Sequence, residues 1–158
     1  MFVCTLQACI TDEPRQGTDL LPGDSLPVFS VTLTDGSVIS NKSLEGKRSL
    51  IVFFNTSCPD CQQELPVIQE IYDIIKDDDR FVCLAISRQE GEKSVEEYWA
   101  ANNFTIPVSP QPSRDIYNLF AASGIPRIFI SDTTGIITFA SSDVDMPDFQ
   151  SLLNHLYQ

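Results

Sequence analysis

The stretch Ser49-Leu50-Ile51-Val52-Phe53-Phe54-Asn55-Thr56-Ser57-Cys58-Pro59-Asp60-Cys61 sets the reading of the whole chain. Residues 49 to 54 form a nearly continuous apolar run of strand length, the pattern of a central strand covered on both faces. Directly afterwards, residues 59 to 75 place Leu65, Ile68, Tyr72 and Ile75 at helical spacing, with Ile71 and Ile74 widening the apolar stripe. A Cys-x-x-Cys therefore stands where a buried strand ends and a helix begins. Such a helix N-terminus offers unpaired N–H donors and positive partial charge, which stabilise a thiolate on the first cysteine. Cys58 is the expected exposed nucleophile. Cys61, three residues on, lies on the same side of the first turn and can attack the sulfur of a mixed disulfide, releasing the reduced partner.

Two other uses of the pair compete with redox chemistry. Zinc would need a second Cys-x-x-Cys or paired histidines, and the chain offers only Cys83 inside an apolar run, Cys4 and Cys9 near the start, and the lone His155. A purely structural disulfide would close a loop of only a few residues and so constrain the unfolded chain little. Cys83 reads as a small buried hydrophobe.

Outward from this centre, apolar runs of strand length alternate with helical patterns. Upstream, Phe29, Val31 and Leu33 alternate with polar residues, and Thr34-Asp35-Gly36 turns the chain into Val38 and Ile39, a hairpin. Downstream, Asp77-Asp78-Asp79 ends the helix in a solvated turn. Phe81 to Ile86 is a second buried strand, so residues 50 to 86 make a strand–helix–strand unit with parallel strands. Helices are expected over Ser94 to Asn102 and Ser113 to Ala122, with a short strand at Thr105 to Val108 between them. Arg127 to Ile130 and Ile136 to Phe139, joined by the turn at Asp132 to Gly135, form a second hairpin. Pro147 in a first turn starts a closing helix with Phe149, Leu152, Leu153 and Leu156. The expected architecture is α/β, a central mixed sheet flanked by helices.

The chain has 158 residues, 42% of them hydrophobic and 20% charged, which suits one self-sufficient globular domain. Ten Lys and Arg against 22 Asp and Glu leave a net charge of −12, so a nucleic-acid partner is disfavoured. No apolar stretch is long enough to span a bilayer. Residues 1 to 22 read as a signal-peptide remnant followed by a flexible tether. Met1 to Ala8 is a short, mostly uncharged run ending in Leu6-Gln7-Ala8-Cys9, which resembles a bacterial lipobox with Cys9 as the lipidated residue. Ile10 to Leu21 would be the polar spacer, and residues 23 to 158 the folded domain.

The sequence resembles the thioredoxin superfamily, and within it the membrane-tethered TlpA/ResA-like thiol-disulfide oxidoreductases. The resemblance covers about residues 23 to 158. It rests on Pro22 to Phe29, on Leu44-Glu45-Gly46-Lys47 before the strand, on Phe53 to Cys61, on Glu64-Leu65-Pro66, and on Gly124-Ile125-Pro126-Arg127-Ile128-Phe129-Ile130 with its following turn. It implies a thioredoxin-like fold with an N-terminal β-hairpin and a helix–strand insertion at residues 94 to 108. It also implies that Cys58 and Cys61 are the nucleophilic and resolving cysteines, that Pro66 kinks the active-site helix, and that Pro126 is a cis-proline facing the disulfide. The backbone of Ile125 would then pair with an extended substrate segment beside Cys58, next to Pro59 and Asp60. Two departures stand out. Ser57 occupies the place where the family usually has Trp, so a hydrophobic lid is missing or supplied elsewhere, and Val52 occupies the place of the buried Asp of cytoplasmic thioredoxins. Trp99 reads as core. Glu64 matches the ResA-type glutamate and could take up the Cys61 proton; its other reading is an exposed first-turn carboxylate favoured by the helix dipole.

The expected activity is that of an extracytoplasmic, lipid-anchored disulfide reductase with no organic cofactor or metal. Its partners would be substrate protein disulfides and an unidentified membrane or envelope thiol reductant. Asp60 beside Cys58, and Glu64 beside Cys61, would disfavour thiolates and make the pair reducing. The alternatives are a peroxiredoxin-like peroxidase using Cys58 alone and a non-catalytic binding module of the envelope. Thr56 stands two residues before Cys58 rather than at the Thr-x-x-Cys spacing of the peroxidase class.

Overall fold

Strand β3 (Arg48–Phe54) is paired along both edges, parallel to β4 (Phe81–Ser87) and antiparallel to β6 (Arg127–Ser131). A computed structural model describes residues 19–158 of the chain. Its main sheet has the order β5-β4-β3-β6-β7, with β5 at Val108–Ser109 and β7 at Ile137–Ser141. A separate two-stranded antiparallel hairpin, β1 (Ser30–Thr32) and β2 (Val38–Ser40), precedes it. The helices are α1 (Pro59–Ile75), α2 (Glu92–Asn102) and α3 (Phe149–Tyr157).

The two-residue period of β3 distributes its side chains between two cores. Leu50, Val52 and Phe54 meet Leu65, Ile68 and Ile71 of α1, Val95 and Trp99 of α2, and Leu152 and Leu156 of α3. Ile51 and Phe53 face the opposite way, onto Phe29 and Val31 of the hairpin region, Leu44, Tyr117, Phe120 and Phe129. All three α-helices thus pack on one face, while the hairpin and two 3₁₀ turns, Asn41–Leu44 and Tyr117–Leu119, cover the other. Val52, where a buried acid stands in cytoplasmic thioredoxins, lies fully inside the first core.

Four expectations need correction. The helix expected over Ser113 to Ala122 is only the 3₁₀ turn Tyr117–Leu119. Gln111 bridges to Glu90, and the Ser113 carbonyl accepts the Gln89 N–H, so Gln111 to Ser113 are tied to the loop after β4 and only the irregular turns from Arg114 onward remain to bury Tyr117, Phe120 and Ala121. The strand expected at Thr105 to Val108 contracts to Val108–Ser109, because the side chain of Gln69 takes the N–H groups of Thr105 and Ile106 and Pro107 has none to give. Ile74, expected on the buried stripe of α1, is 51% exposed, so the stripe runs through Ile71 and Ile75 instead. Pro147 stands just before Asp148, the N-cap of α3, whose side chain accepts the Ser151 N–H.

Asp19 and Leu20 already lie on the domain: the Leu20 N–H donates to the Phe120 carbonyl, and the Asp19 carboxylate pairs with Arg127 and accepts the Ala122 N–H. Cys9 and residues 1 to 18 fall outside the described residues.

Trp99 links the core to the end of β3 that carries the cysteines. Its ring lies 4.8 Å from that of Phe54, and its Nε1–H donates to the Ile106 carbonyl at 2.9 Å. Trp99→Phe keeps the apolar contact but leaves that carbonyl without its donor, and should cost about 1–3 kcal/mol. Trp99→Ala also opens a cavity and should cost about 3–5 kcal/mol. Urea unfolding of the three proteins measures both losses; no loss in Trp99→Phe would refute the hydrogen-bond component, and equal losses in the two variants would refute the cavity component.

Candidate active site

The cysteines sit where β3 hands over to α1. Cys58 is the N-cap of the helix, with extended φ and ψ of −82° and 119°, and its Sγ accepts the Cys61 N–H at 3.4 Å. A sulfur thus occupies the capping position usually given to a side-chain oxygen. Pro59 fills the first helical position, where an absent N–H costs nothing. Behind it, the Cys58 N–H donates to the Asn55 carbonyl at 3.1 Å, and the Cys58 carbonyl accepts from Gln62 at 3.0 Å. Further along, Pro66 leaves the Gln62 carbonyl without its usual i+4 donor in the helix.

The two thiols differ in their surroundings. Cys58 is half-buried, whereas Cys61 is wholly buried among the apolar residues beneath α1. Burial and the adjacent Cys58 push the Cys61 thiol far above the ordinary range. Cys83 is enclosed within the same core, and burial pushes its thiol up to about 12, as befits a small hydrophobe.

Across from the helix, the Ile125–Pro126 peptide bond is cis, as the resemblance implied, and the Ile125 carbonyl accepts from the Cys58 thiol at 3.6 Å. Gly124 gives this loop its shape. Its φ is +81°, and a Cβ there would lie 2.5 Å from Oδ1 of Asp143, so both conformation and space call for glycine. The Tyr117 hydroxyl donates to the Gly124 carbonyl at 2.5 Å and ties the loop to the second core. Sequence reasoning missed this anchor, because the pattern Ile116, Leu119, Phe120 pointed to a helix face that does not form.

Glu64 lies one helical turn beyond Cys61 and is 4% exposed, which overturns the reading of it as an exposed first-turn carboxylate. Its Oε1 is buried with no hydrogen-bond partner. Desolvation raises its carboxyl to about 7. Asp60 is half-buried in the first turn, and Pro59 is exposed. Ser57 is exposed, with its N–H and hydroxyl both donating to Asn55 Oδ1 at 3.0 and 2.6 Å, so no side chain at position 57 covers the sulfurs. Asn55, which sequence reasoning did not single out, fixes the loop a second time by donating from Nδ2 to the Arg88 carbonyl at 3.1 Å. Among the described residues no cluster of three His, Cys, Asp or Glu is arranged to hold a metal ion.

A capping thiol above a buried one, facing the carbonyl that precedes a cis-proline, defines a dithiol protein of the thioredoxin-like class. The AhpC/TSA family matches residues 22–140, and the chain belongs to it. The thiol-disulfide oxidoreductase ResA of Bacillus cereus (strain ZK / E33L) is 27% identical over 113 residues, covering 72% of this chain and 65% of that protein. The chain therefore spans somewhat under two thirds of this relative's length. The solution structure of a Bacteroides thetaiotaomicron protein, described as a candidate protein disulfide isomerase, superposes with a TM-score of 0.83 at 29% identity, covering 89% of this chain and 91% of that one. A candidate thioredoxin from Neisseria meningitidis superposes with a TM-score of 0.74 at 27% identity, covering 85% and 89%. The fold is thioredoxin-like.

The exposure difference predicts that iodoacetamide modifies Cys58 of the reduced protein well before Cys61 near neutral pH. Equal rates in peptide mass mapping would refute the asymmetry. Glu64 generates a stability prediction. Its folded carboxyl, at about 7, lies above the ordinary value of 4.5, so the folded state binds the proton more tightly than the unfolded chain. The contribution of this group should therefore be fully present below about pH 4.5 and be lost as pH rises through about 7, a change of about 3 kcal/mol. Glu64→Gln should remove that slope and be the more stable protein at pH 8. Denaturation midpoints across this range test it.

Proposed function

We propose that this protein is an extracytoplasmic thiol-disulfide oxidoreductase that works as a reductase of protein disulfides. The observation that carries the reading is the half-buried Cys58 capping α1 over a wholly buried Cys61, with the Ile125 carbonyl at the first sulfur. The names borne by the relatives support the same chemistry.

The reaction balances within the dithiol and its substrate. The Cys58 thiolate attacks one sulfur of the substrate disulfide, forming a mixed disulfide and expelling the other substrate sulfur, which takes up a proton. The backbone of Ile125 aligns an extended substrate segment, beside Pro59 and Asp60, for this attack. Cys61 Sγ then attacks Cys58 Sγ, and the second substrate sulfur leaves and takes up a proton. The Cys61 proton goes to the Glu64 carboxylate one helical turn along, which is not hydrogen-bonded to Cys61 in the resting dithiol and must approach it for this step. Two electrons pass to the substrate, which ends as two thiols, while Cys58 and Cys61 become a disulfide. A membrane or envelope dithiol reduces that disulfide again. Because Glu64 has its carboxyl at about 7, the resolving step should accelerate as pH rises through neutrality.

Burial of Cys61 and Glu64 also supports the direction. An environment that withholds stabilisation from a thiolate gives the reduced form none of the advantage that makes strong oxidases oxidising. The Leu6-Gln7-Ala8-Cys9 pattern supports attachment by a lipid on Cys9, and no helix among the described residues is long and apolar enough to cross a membrane. A peroxidase reading finds less support, since the Thr56 hydroxyl is bonded to Glu90 and stands two residues before Cys58.

The decisive experiment is to mix Cys61→Ser with disulfide-bonded proteins. A mixed disulfide should accumulate on Cys58, while the wild-type chain turns over and equilibrates with glutathione buffers at a reducing potential near that of thioredoxin. A potential near that of a strong oxidase would refute the reductase direction. Peroxide consumption by Cys61→Ser would favour the peroxidase, and inertness towards every disulfide would favour a binding module. Mass spectrometry of the protein from its native cell should find an acylated N-terminal Cys9, and an intact peptide spanning Ala8, Cys9 and Ile10 would exclude the anchor.

A further inference from the structure

The three residues leading into Cys58 are held by hydrogen bonds rather than by packing. Ser57 is exposed and bonds only back to Asn55 Oδ1, so it contributes no apolar contact. Thr56, by contrast, has every polar group engaged. Its carbonyl accepts Gln62 Nε2 at 2.8 Å, its N–H donates to Glu90 Oε2 at 2.8 Å, and its hydroxyl donates to Glu90 Oε1. One carboxylate thus grips one residue at two points, and such charge-assisted pairs fix orientation as well as contributing energy.

Glu90 is brought to this position by an unusual backbone. Gln89, directly before it, has a φ of +57°, a left-handed conformation that costs a residue with a Cβ. That turn is itself braced: the Gln89 N–H donates to the Ser113 carbonyl at 3.2 Å, the Glu90 N–H to the Gln111 carbonyl at 3.0 Å, and the Ser87 hydroxyl to the Glu90 carbonyl at 2.8 Å. Ser87 Oγ in turn accepts the Gln111 N–H at 2.7 Å. A strained residue that surrounding bonds hold in place is found where geometry is being imposed. Here the strain presents a carboxylate to the residue two positions ahead of the reactive sulfur.

We infer that Glu90 is a positioning residue for Cys58, acting through Thr56 to keep the sulfur aligned with the Ile125 carbonyl. This rests on the disulfide-exchange reading given above. Exchange needs three sulfurs in line, whereas alkylation by a small reagent needs only an accessible thiolate, so the two reactions separate alignment from reactivity.

Glu90→Gln keeps one acceptor oxygen but puts an amide NH2 in place of the other and removes the charge, so the two Thr56 donors no longer share a carboxylate. It should lower kcat/KM for protein-disulfide reduction about tenfold, mainly through kcat. The alkaline plateau of the pH profile for Cys58 alkylation should stay within about twofold. Thr56→Val should lose rate similarly, the double variant should lose no more than either single one, and Thr56→Ser, which keeps both donors, should recover most of the rate lost by Thr56→Val. The Thr56 amide proton resonance should move upfield in Glu90→Gln as its charged acceptor goes, with the urea midpoint showing that each variant is folded. An unchanged exchange rate in Glu90→Gln beside an active wild type, multiplying losses in the double variant, or an alkylation plateau that falls in parallel with exchange would each overturn the inference. A wild-type chain inert towards all disulfides would instead overturn the oxidoreductase reading on which it stands.

Discussion

Everything at the cysteine-bearing end of the molecule depends on β3 being paired on both edges and covered on both faces. A strand so enclosed has no freedom to slide, because a one-residue slip would send Leu50, Val52 and Phe54 into the aromatic core and Ile51 and Phe53 under the helices. Its last residue therefore delivers Asn55 to a fixed point in space. From there the chain must turn and start α1 within four residues, and Cys58 is the residue that caps that start. The reactivity of the sulfur is thus inherited from the sheet: the helix begins where the strand leaves off, and the strand ends where two cores allow.

The contrast between the neighbouring thiols follows from the same geometry. Cys58 precedes the first helical residue and faces the loop at Ile125, while Cys61 has rotated inward with the turn and joins the apolar stripe. Glu64, another turn along, follows Cys61 into the interior. A carboxyl there with an orphaned oxygen weakens the fold at neutral pH, a cost for which the proposed role of Glu64 as acceptor of the Cys61 proton would account.

Much of this was legible in the sequence where one local signal settled it. The apolar run of β3 and the Pro59 start of α1 gave strand, cysteine pair and helix their places, and the Asp132 to Gly135 turn gave the second hairpin. Legibility failed where tertiary partners override local pattern. Nothing local to Ser113 to Ala122 reveals that Gln111 and Ser113 are tied to the loop after β4, and nothing in Thr105-Ile106 reveals that Gln69, 36 residues away from Thr105, takes its hydrogen bond. The site divides in the same manner. The cysteines and Pro126 stand in motifs, while Tyr117, Asn55 and Glu90 act through bonds to distant backbone that no periodicity records.

The bonds of Asp19 carry one more consequence. Its carboxylate grips Arg127, the residue after Pro126, and the N–H of Ala122, so the first described residue is fastened to both ends of the loop that faces Cys58. Asp19 therefore lies at the same pole of the domain as Cys58. For a protein held by its N-terminal end, leash and sulfur would share a hemisphere. Held that way, the domain at full reach would turn its working face back toward the point of attachment, and a partner confined near that point would meet the thiol at a higher effective concentration than one diffusing freely beyond it.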